Sequence, residues 1–337
     1  MYKEKWSLQS RTVHAGRSRS QIAHTPAIDL STTSRIADLS SAINSIDQLN
    51  AGESAPTNPI YSRLHNDTVA GFERGLAELE CADSAIAFAS GMAAITALLL
   101  AAKQSKSGTA HVIAVRTLYG GTDSLLSSNL LGLPVTWLRA GESVQQALRP
   151  ETALIWIETP ANPTCDLIDI SAVVAQAKGI PVAVDSTFAT PILQQPLKLG
   201  ASYVVHSATK FIGGHSDVLA GVIACSAERA RPIRKIRIQT GANLHPLAAY
   251  MLHRGLQTLD LRVRCAQENA TFLAKQLSTH SKVLRVHHPS LSDPHSLLGR
   301  QMSGPGALLA FEIEGGIHAA STVMAEVTLC TPAVSLG

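Results

Sequence analysis

The 337-residue chain has only five cysteines, Cys81, Cys165, Cys225, Cys265 and Cys330, and no two of them form a C-x-x-C pair. That spacing argues against a zinc knuckle and a disulfide framework and fits buried or idle thiols in a reducing cytosol. Charge of one sign is scarce too: the formal net charge is +3, too small an excess to make nucleic acid or a membrane surface the main partner. The longest apolar run, around Ala93 to Ala102, is about half of what a bilayer span requires. The opening residues, MYKEKWSLQSRTVHAG, lack the apolar stretch of a signal peptide. No G-x-G-x-x-G follows a strand, and G-x-x-x-x-G-K-[ST], H-E-x-x-H and G-x-S-x-G are missing. Among thirteen histidines the adjacent His287 and His288 look most like metal ligands, but the proline after them marks a turn, and no metal is expected. These absences leave a cytoplasmic protein with a small-molecule partner.

What is present is a chain 45% hydrophobic and 16% charged, able to bury a large core and long enough for about two domains. From about 84 to 226 short apolar runs (AIAFA, HVIAV, VTWL, ALIWIE, IPVAVD, SYVVH, GVIAC) alternate with helical patterns such as GMAAITALLLAAK and ISAVVAQAK. Strands rich in valine and isoleucine with helices between them predict a layered α/β fold with parallel strands. Residues 1–60 are rich in Ser, Thr and Asn and read as an extended arm packing on something else, with a weakly periodic stretch IADLSSAINSIDQL. The α/β domain is expected over 61–232. A smaller α+β domain is expected over 233–337, opening with the long helical pattern from Leu244 to Leu277 and including a strand in GALLAFEI.

In open α/β sheets ligands sit at the carboxyl ends of strands. After AIAFA come Ser90, Gly91 and Met92 and then a helix, which is either a tight turn or an anion site made of helix-start amides. After ALIWIE the loop Thr159 to Pro163 is either a plain turn or one that offers Asn162 to a ligand. After IPVAV stands Asp185, a helix cap or the partner of a ring nitrogen that must stay protonated. After SYVVH comes Ser207-Ala208-Thr209-Lys210. In an extended segment residues two apart share a face, so Ser207 and Thr209 can both donate to one phosphate while Lys210 points elsewhere. A phosphate site, a ring-nitrogen partner and a lysine without acidic neighbours describe pyridoxal phosphate.

The motifs ASGMAAI, LYGGT, ETPANP, VDSTFATP and SATKFIGGHSD, in this order and spacing, resemble those of the Cys/Met-metabolism (trans-sulfuration) family of pyridoxal-phosphate enzymes, from about Thr12 to the last residue. The family includes cystathionine γ-synthase, cystathionine γ-lyase, methionine γ-lyase and homoserine-ester sulfhydrylases. The resemblance implies an aspartate-aminotransferase-like (fold type I) domain, with Lys210 as Schiff-base lysine and Asp185 on the pyridine nitrogen. It implies Gly91, Met92, Ser207 and Thr209 at the phosphate, and Tyr119 stacked on the ring and assisting proton transfers. Asn162 and Thr187 complete the expected cofactor set, and Ser335 is expected to hold the lysine or the substrate carboxylate. Tyr61 and Arg63 would reach the phosphate of a neighbouring subunit in a homotetramer built from dimers that share active sites.

Three departures from the family pattern stand out. Asn66-Asp67-Thr68 replaces N-P-T and predicts an altered interface loop. Gly121 stands where methionine γ-lyases typically carry cysteine, which counts against that activity, and Val334 stands where cystathionine-processing members often carry an acid. Family chains also continue past Ser335-Leu336-Gly337 to an arginine that grips the substrate carboxylate, so the second domain reads as incomplete. The expected reaction is γ-elimination or γ-replacement on a sulfur amino acid or O-acylhomoserine. Another pyridoxal-phosphate reaction, such as β-elimination, and a catalytically silent binding protein are the alternatives.

Overall fold

The computed structural model describes residues 6–17, 23–56 and 58–335. Its frame is a seven-stranded sheet made of β1 (Ser84–Phe88), β2 (His111–Arg116), β3 (Val135–Arg139), β4 (Thr152–Glu158), β5 (Val182–Asp185), β6 (Tyr203–Ser207) and β7 (Gly221–Cys225). Their order is β1-β7-β6-β5-β4-β2-β3. The neighbours from β3 to β6 are parallel, whereas β7 runs antiparallel to both β1 and β6. The sheet is thus mostly parallel, and six strands present their carboxyl ends along one edge.

Burial on both faces explains why these strands read as continuous apolar runs. Along β6 the side chains alternate: Tyr203 and Val205 enter the cluster under α4 (Gly91–Gln104) and α9 (Ala227–Thr240), and Val204 enters the opposite one. That opposite cluster lies under α3 (Asp67–Glu80), α10 (Pro246–Leu256) and α11 (Leu259–Ser278). The helix α4 is built of alanine, leucine and isoleucine, which suit a helix buried on the sheet, and Ser90 caps it by accepting from the Ala93 N–H at 3.1 Å.

The long helical pattern after Leu244 is broken in two between α10 and α11, at Gln257 and Thr258. The strand expected in GALLAFEI forms only over Ala310–Ile313 (β9), paired antiparallel with β8 (Val283–His287). Positions 232 and 233, where a domain boundary is expected from the sequence, lie inside α9, whose Ala230, Ile233 and Ile236 belong to the core of the large sheet. The segment read as an extended arm holds two helices, α1 (Leu8–His14) and α2 (Leu39–Asn50), the latter on the IADLSSAINSIDQL pattern. Ala15, just past α1, is buried in the α3 cluster of its own chain.

The predicted change at Asn66-Asp67-Thr68 resolves into a helix start. Asn66 Oδ1 accepts the N–H groups of Thr68 and Val69 at 3.0 and 3.2 Å, and Asp67 is the first residue of α3. That position accommodates proline because its amide needs no partner, and it favours an acid because of the helix dipole, so either residue starts the same helix.

Candidate active site

Five strand ends converge on a cavity of about 320 Å³, a size suited to a small-molecule site. The residues after β1 contribute Ser90, Gly91 and Met92, and the segment after β2 contributes Tyr119. Glu158 and Asn162 come from β4 and its loop, Asp185 and Thr187 from β5, and Ser207, Thr209 and Lys210 from β6; Val334 and Ser335 close the cavity from the end of the described chain. Every expected site residue except Tyr61 and Arg63 lines this one cavity.

The amides of Gly91 and Met92 open α4, where no carbonyl four residues back within the helix can take them. A Cβ on Gly91 would stand 3.1 Å from Ser207 Cβ and 3.2 Å from Ser207 Oγ, so the missing side chain is what lets the ends of β1 and β6 approach. Ser207 Oγ has no hydrogen-bond partner among the described residues and borders the cavity.

The chain does not stay extended after Ser207, and the two-residue periodicity argument fails there. It turns, with the Lys210 N–H donating to the Ser207 carbonyl at 3.1 Å, and the turn brings Lys210 into the same cavity as Ser207 and Thr209. The Thr209 hydroxyl exchanges bonds with the Ala220 backbone, donating to its carbonyl at 3.2 Å and accepting its N–H at 3.0 Å. Lys210 Nζ donates to Ser335 Oγ, and no carboxylate among the described residues pairs with it. Burial lowers the Lys210 pKa and so raises the share of free amine.

Asp185 is only 5% exposed at the end of β5. Its Oδ1 accepts the Thr187 hydroxyl at 2.6 Å and the Thr187 N–H at 3.0 Å, and no described residue donates to Oδ2. Burial pushes the Asp185 carboxyl above the usual range, against the two Thr187 bonds and the nearby His206. Such a carboxylate suits a cationic ring nitrogen placed beside it.

Glu158 was not singled out from the sequence, although it too ends a buried apolar strand, the signal that marked Asp185. It lies opposite Asp185 in the β4–β5 register. Burial, and then the Asp185 charge, push its carboxyl up to about 8. Tyr61 and Arg63 stand apart from the cavity: Tyr61 is exposed, and Arg63 donates to the Ile238 carbonyl at 2.7 Å.

The model of the Cys/Met metabolism PLP-dependent enzyme family matches residues 9–337. The chain belongs to that family. Pyridoxal phosphate is its cofactor, and a cavity with open helix-start amides, a buried carboxylate, and a serine hydroxyl and a lysine that have, respectively, no hydrogen-bond partner and no acidic partner among the described residues fits that group.

An L-methionine gamma-lyase of Brevibacterium sandarakinum is 50% identical over 318 residues, covering 93% of this chain and 80% of that protein. One from Streptomyces avermitilis is 48% identical over 334 residues, covering 98% and 76%. The cystathionine gamma-lyase of Lactobacillus plantarum, solved with L-serine, superposes with a TM-score of 0.87 at 30% identity, covering 98% of this chain and 85% of that one. MetB of Corynebacterium glutamicum gives 0.86 at 31% identity, covering 99% and 86%. The enzyme thus has the aspartate-aminotransferase-like fold expected from its motifs. Among the described residues no helix is long and apolar enough to cross a membrane.

Proposed function

We propose that this enzyme catalyses γ-elimination from L-methionine. The observation that carries the reading is the 48–50% identity to proteins named L-methionine gamma-lyase over 93–98% of the chain. The cavity wall supports it: Met92, Ile95, Phe188, Leu219 and Val334 offer an apolar lining to a thioether. Val334 offers no anion for the second amino group of cystathionine. Gly121 does not stand in the way, because a Cβ there would lie 2.5 Å from Tyr119 Cε1 and 3.0 Å from Met92 Sδ. The tyrosine ring fills the space that a larger residue at 121 would use.

When bound, pyridoxal phosphate supplies an aldehyde for the substrate amine and an electron-poor ring that takes up charge from the α-carbon. Gly91, Met92, Ser207 and Thr209 would hold its phosphate, Asn162 and Thr187 would complete its binding site, and Asp185 would hold a proton at the ring nitrogen. Lys210 Nζ, steadied by Ser335 Oγ, takes the proton from Cα and then serves Cβ. Tyr119 would stack on the ring and would pass a proton to the departing sulfur. The Cγ–S bond breaks, the thiolate leaves as thiol, and addition of water at Cα ends in ammonia and a 2-oxo acid.

Tyr61 and Arg63 serve the neighbouring subunit's phosphate in a dimer of shared sites, and such dimers pair into a tetramer; their distance from their own cavity supports this assembly. Five free cysteines suit a cytoplasmic enzyme. The test is product analysis with methionine, cystathionine, cysteine and O-acylhomoserines. Methionine should give thiol and 2-oxo acid in equal amounts with the highest kcat/KM. A preference of more than about tenfold for cystathionine or an O-acylhomoserine would replace the reading.

A further inference from the structure

Glu158 is 4% exposed, and no cationic side chain among the described residues pairs with it. Both of its oxygens are nonetheless engaged. Oε2 accepts the Tyr119 N–H at 2.6 Å, and Oε1 accepts the Asn162 N–H at 2.9 Å. The two amides belong to different loops, one after β2 and one after β4, and each loop brings its residue to the same cavity. Tyr119 also opens α5 (Gly120–Ser127) without a side-chain cap of its own, so the bond to Glu158 is what secures its amide.

A carboxylate is the group that this geometry requires. Two N–H donors approach two different oxygens, and a carboxylate offers both as acceptors. An amide in its place would turn an NH₂ group toward one of the two N–H groups. Burying a second acid beside Asp185 carries an electrostatic penalty, seen in the raised proton affinity of Glu158, and an apolar residue would avoid it. A purely structural tie between two loops needs no charge at this place.

We infer that Glu158 is a positioning residue of the active site, a carboxylate clamp that sets Tyr119 and Asn162 against the cofactor through their backbone amides. It acts through Tyr119, and the inference rests on the reading that Tyr119 lies against the ring. It also places a second acid next to Asp185, beside the proposed ring-nitrogen site.

The test is a double-mutant cycle on the holoenzyme with Glu158→Gln and Tyr119→Ala, read by visible-region circular dichroism of the bound cofactor, its retention on dialysis, and kcat and KM for methionine. Glu158→Gln should change the dichroic band, lose cofactor about tenfold more readily, and lower kcat with KM within about twofold, the size expected for one charge-assisted hydrogen bond. In the Tyr119→Ala background it should add little to either cofactor readout. A wild-type band and retention in Glu158→Gln, or effects that simply add to those of Tyr119→Ala, overturn the inference. An unchanged band and retention in Tyr119→Ala alone would instead sink the role given to the tyrosine. Should Glu158→Gln fail to fold, Glu158→Asp keeps the charge but falls one methylene short of the two amides and must show the same losses. A wild-type band in Glu158→Asp, or failure of both variants to fold, assigns Glu158 to the framework alone and overturns the inference.

Discussion

The Thr187 hydroxyl donates to Asp185 Oδ1 at 2.6 Å and accepts the Ser207 N–H at 2.9 Å, so one side chain joins the carboxylate proposed for the ring nitrogen to the end of β6, proposed for the phosphate. Thr187→Val keeps the shape but strands the Ser207 amide and leaves Asp185 Oδ1 with only the backbone N–H of residue 187. We expect exchange of the substrate α-proton with solvent deuterium to slow by about tenfold. Asp185→Asn should slow it far more, because a neutral amide cannot keep the ring nitrogen protonated. Equal rates in the wild type and Asp185→Asn would remove Asp185 from its role.

Lys210→Ala should abolish both the visible absorbance of the lysine-bound cofactor and turnover, the latter by about 10³-fold or more. Among the described residues no other lysine lines the cavity. Retention of band and activity would mean that another amine does this work.

Arg63 is tested by subunit exchange. Lys210→Ala and Arg63→Ala chains, each inactive, should regain partial activity when mixed, because one site of a hybrid dimer then receives both intact residues. Arg63 suits a phosphate because its guanidinium makes forked, charge-assisted contacts. A mixture shown by mass spectrometry to exchange, yet no more active than its parents, would confine Arg63 to its own chain.

Gln194 is a structural counterpart to these residues. Its Nε2 donates to the Thr159 carbonyl at 2.9 Å and to Ser186 Oγ at 3.0 Å, and its Oε1 accepts Gln301 Nε2 at 3.0 Å. It is 2% exposed and ties the ends of β4 and β5 to the segment that precedes β9. Gln194→Leu leaves buried partners without bonds and should cost about 3 kcal/mol in urea unfolding of the holoenzyme. A loss below about 1 kcal/mol would show that the network reforms around the leucine.

Stability of the cofactor-stripped protein should fall with rising pH on account of Glu158. Its ordinary pKa is 4.5, and in the fold it is pushed up to about 8 by burial and then by Asp185. The fold therefore holds the proton more tightly than the unfolded chain does. The stability so contributed is complete below 4.5 and is lost as pH rises toward 8. His111, His253 and His288, lowered chiefly by burial, are largely neutral in both states above about 6.5 and drop out of the upper part of this window. Between pH 6.5 and 8 the melting temperature of the wild type should fall more than that of Glu158→Gln; parallel curves would contradict the assignment.

Sequence by itself determined the layered α/β fold, the strands and the residues at their ends, because strands buried on both faces must be short apolar runs and a polar residue that breaks such a run emerges at the sheet edge. Asp185, Lys210, Ser90 and Gly91 were legible on that ground, and the order of their motifs marked the family. Glu158 carried the same signal, but nothing in the sequence says which loops lie within reach of its carboxylate. Its bonds reach back 39 residues to Tyr119 and forward four to Asn162. The turn after Ser207, the antiparallel course of β7 and the break between α10 and α11 were also decided by tertiary contacts. Local pattern specifies which face of an element is apolar, whereas direction and turning depend on what the chain meets elsewhere: Ala220 beside Thr209, and β1 beside β7. Only the folded chain sets two acids, Glu158 and Asp185, side by side at the wall of one cavity.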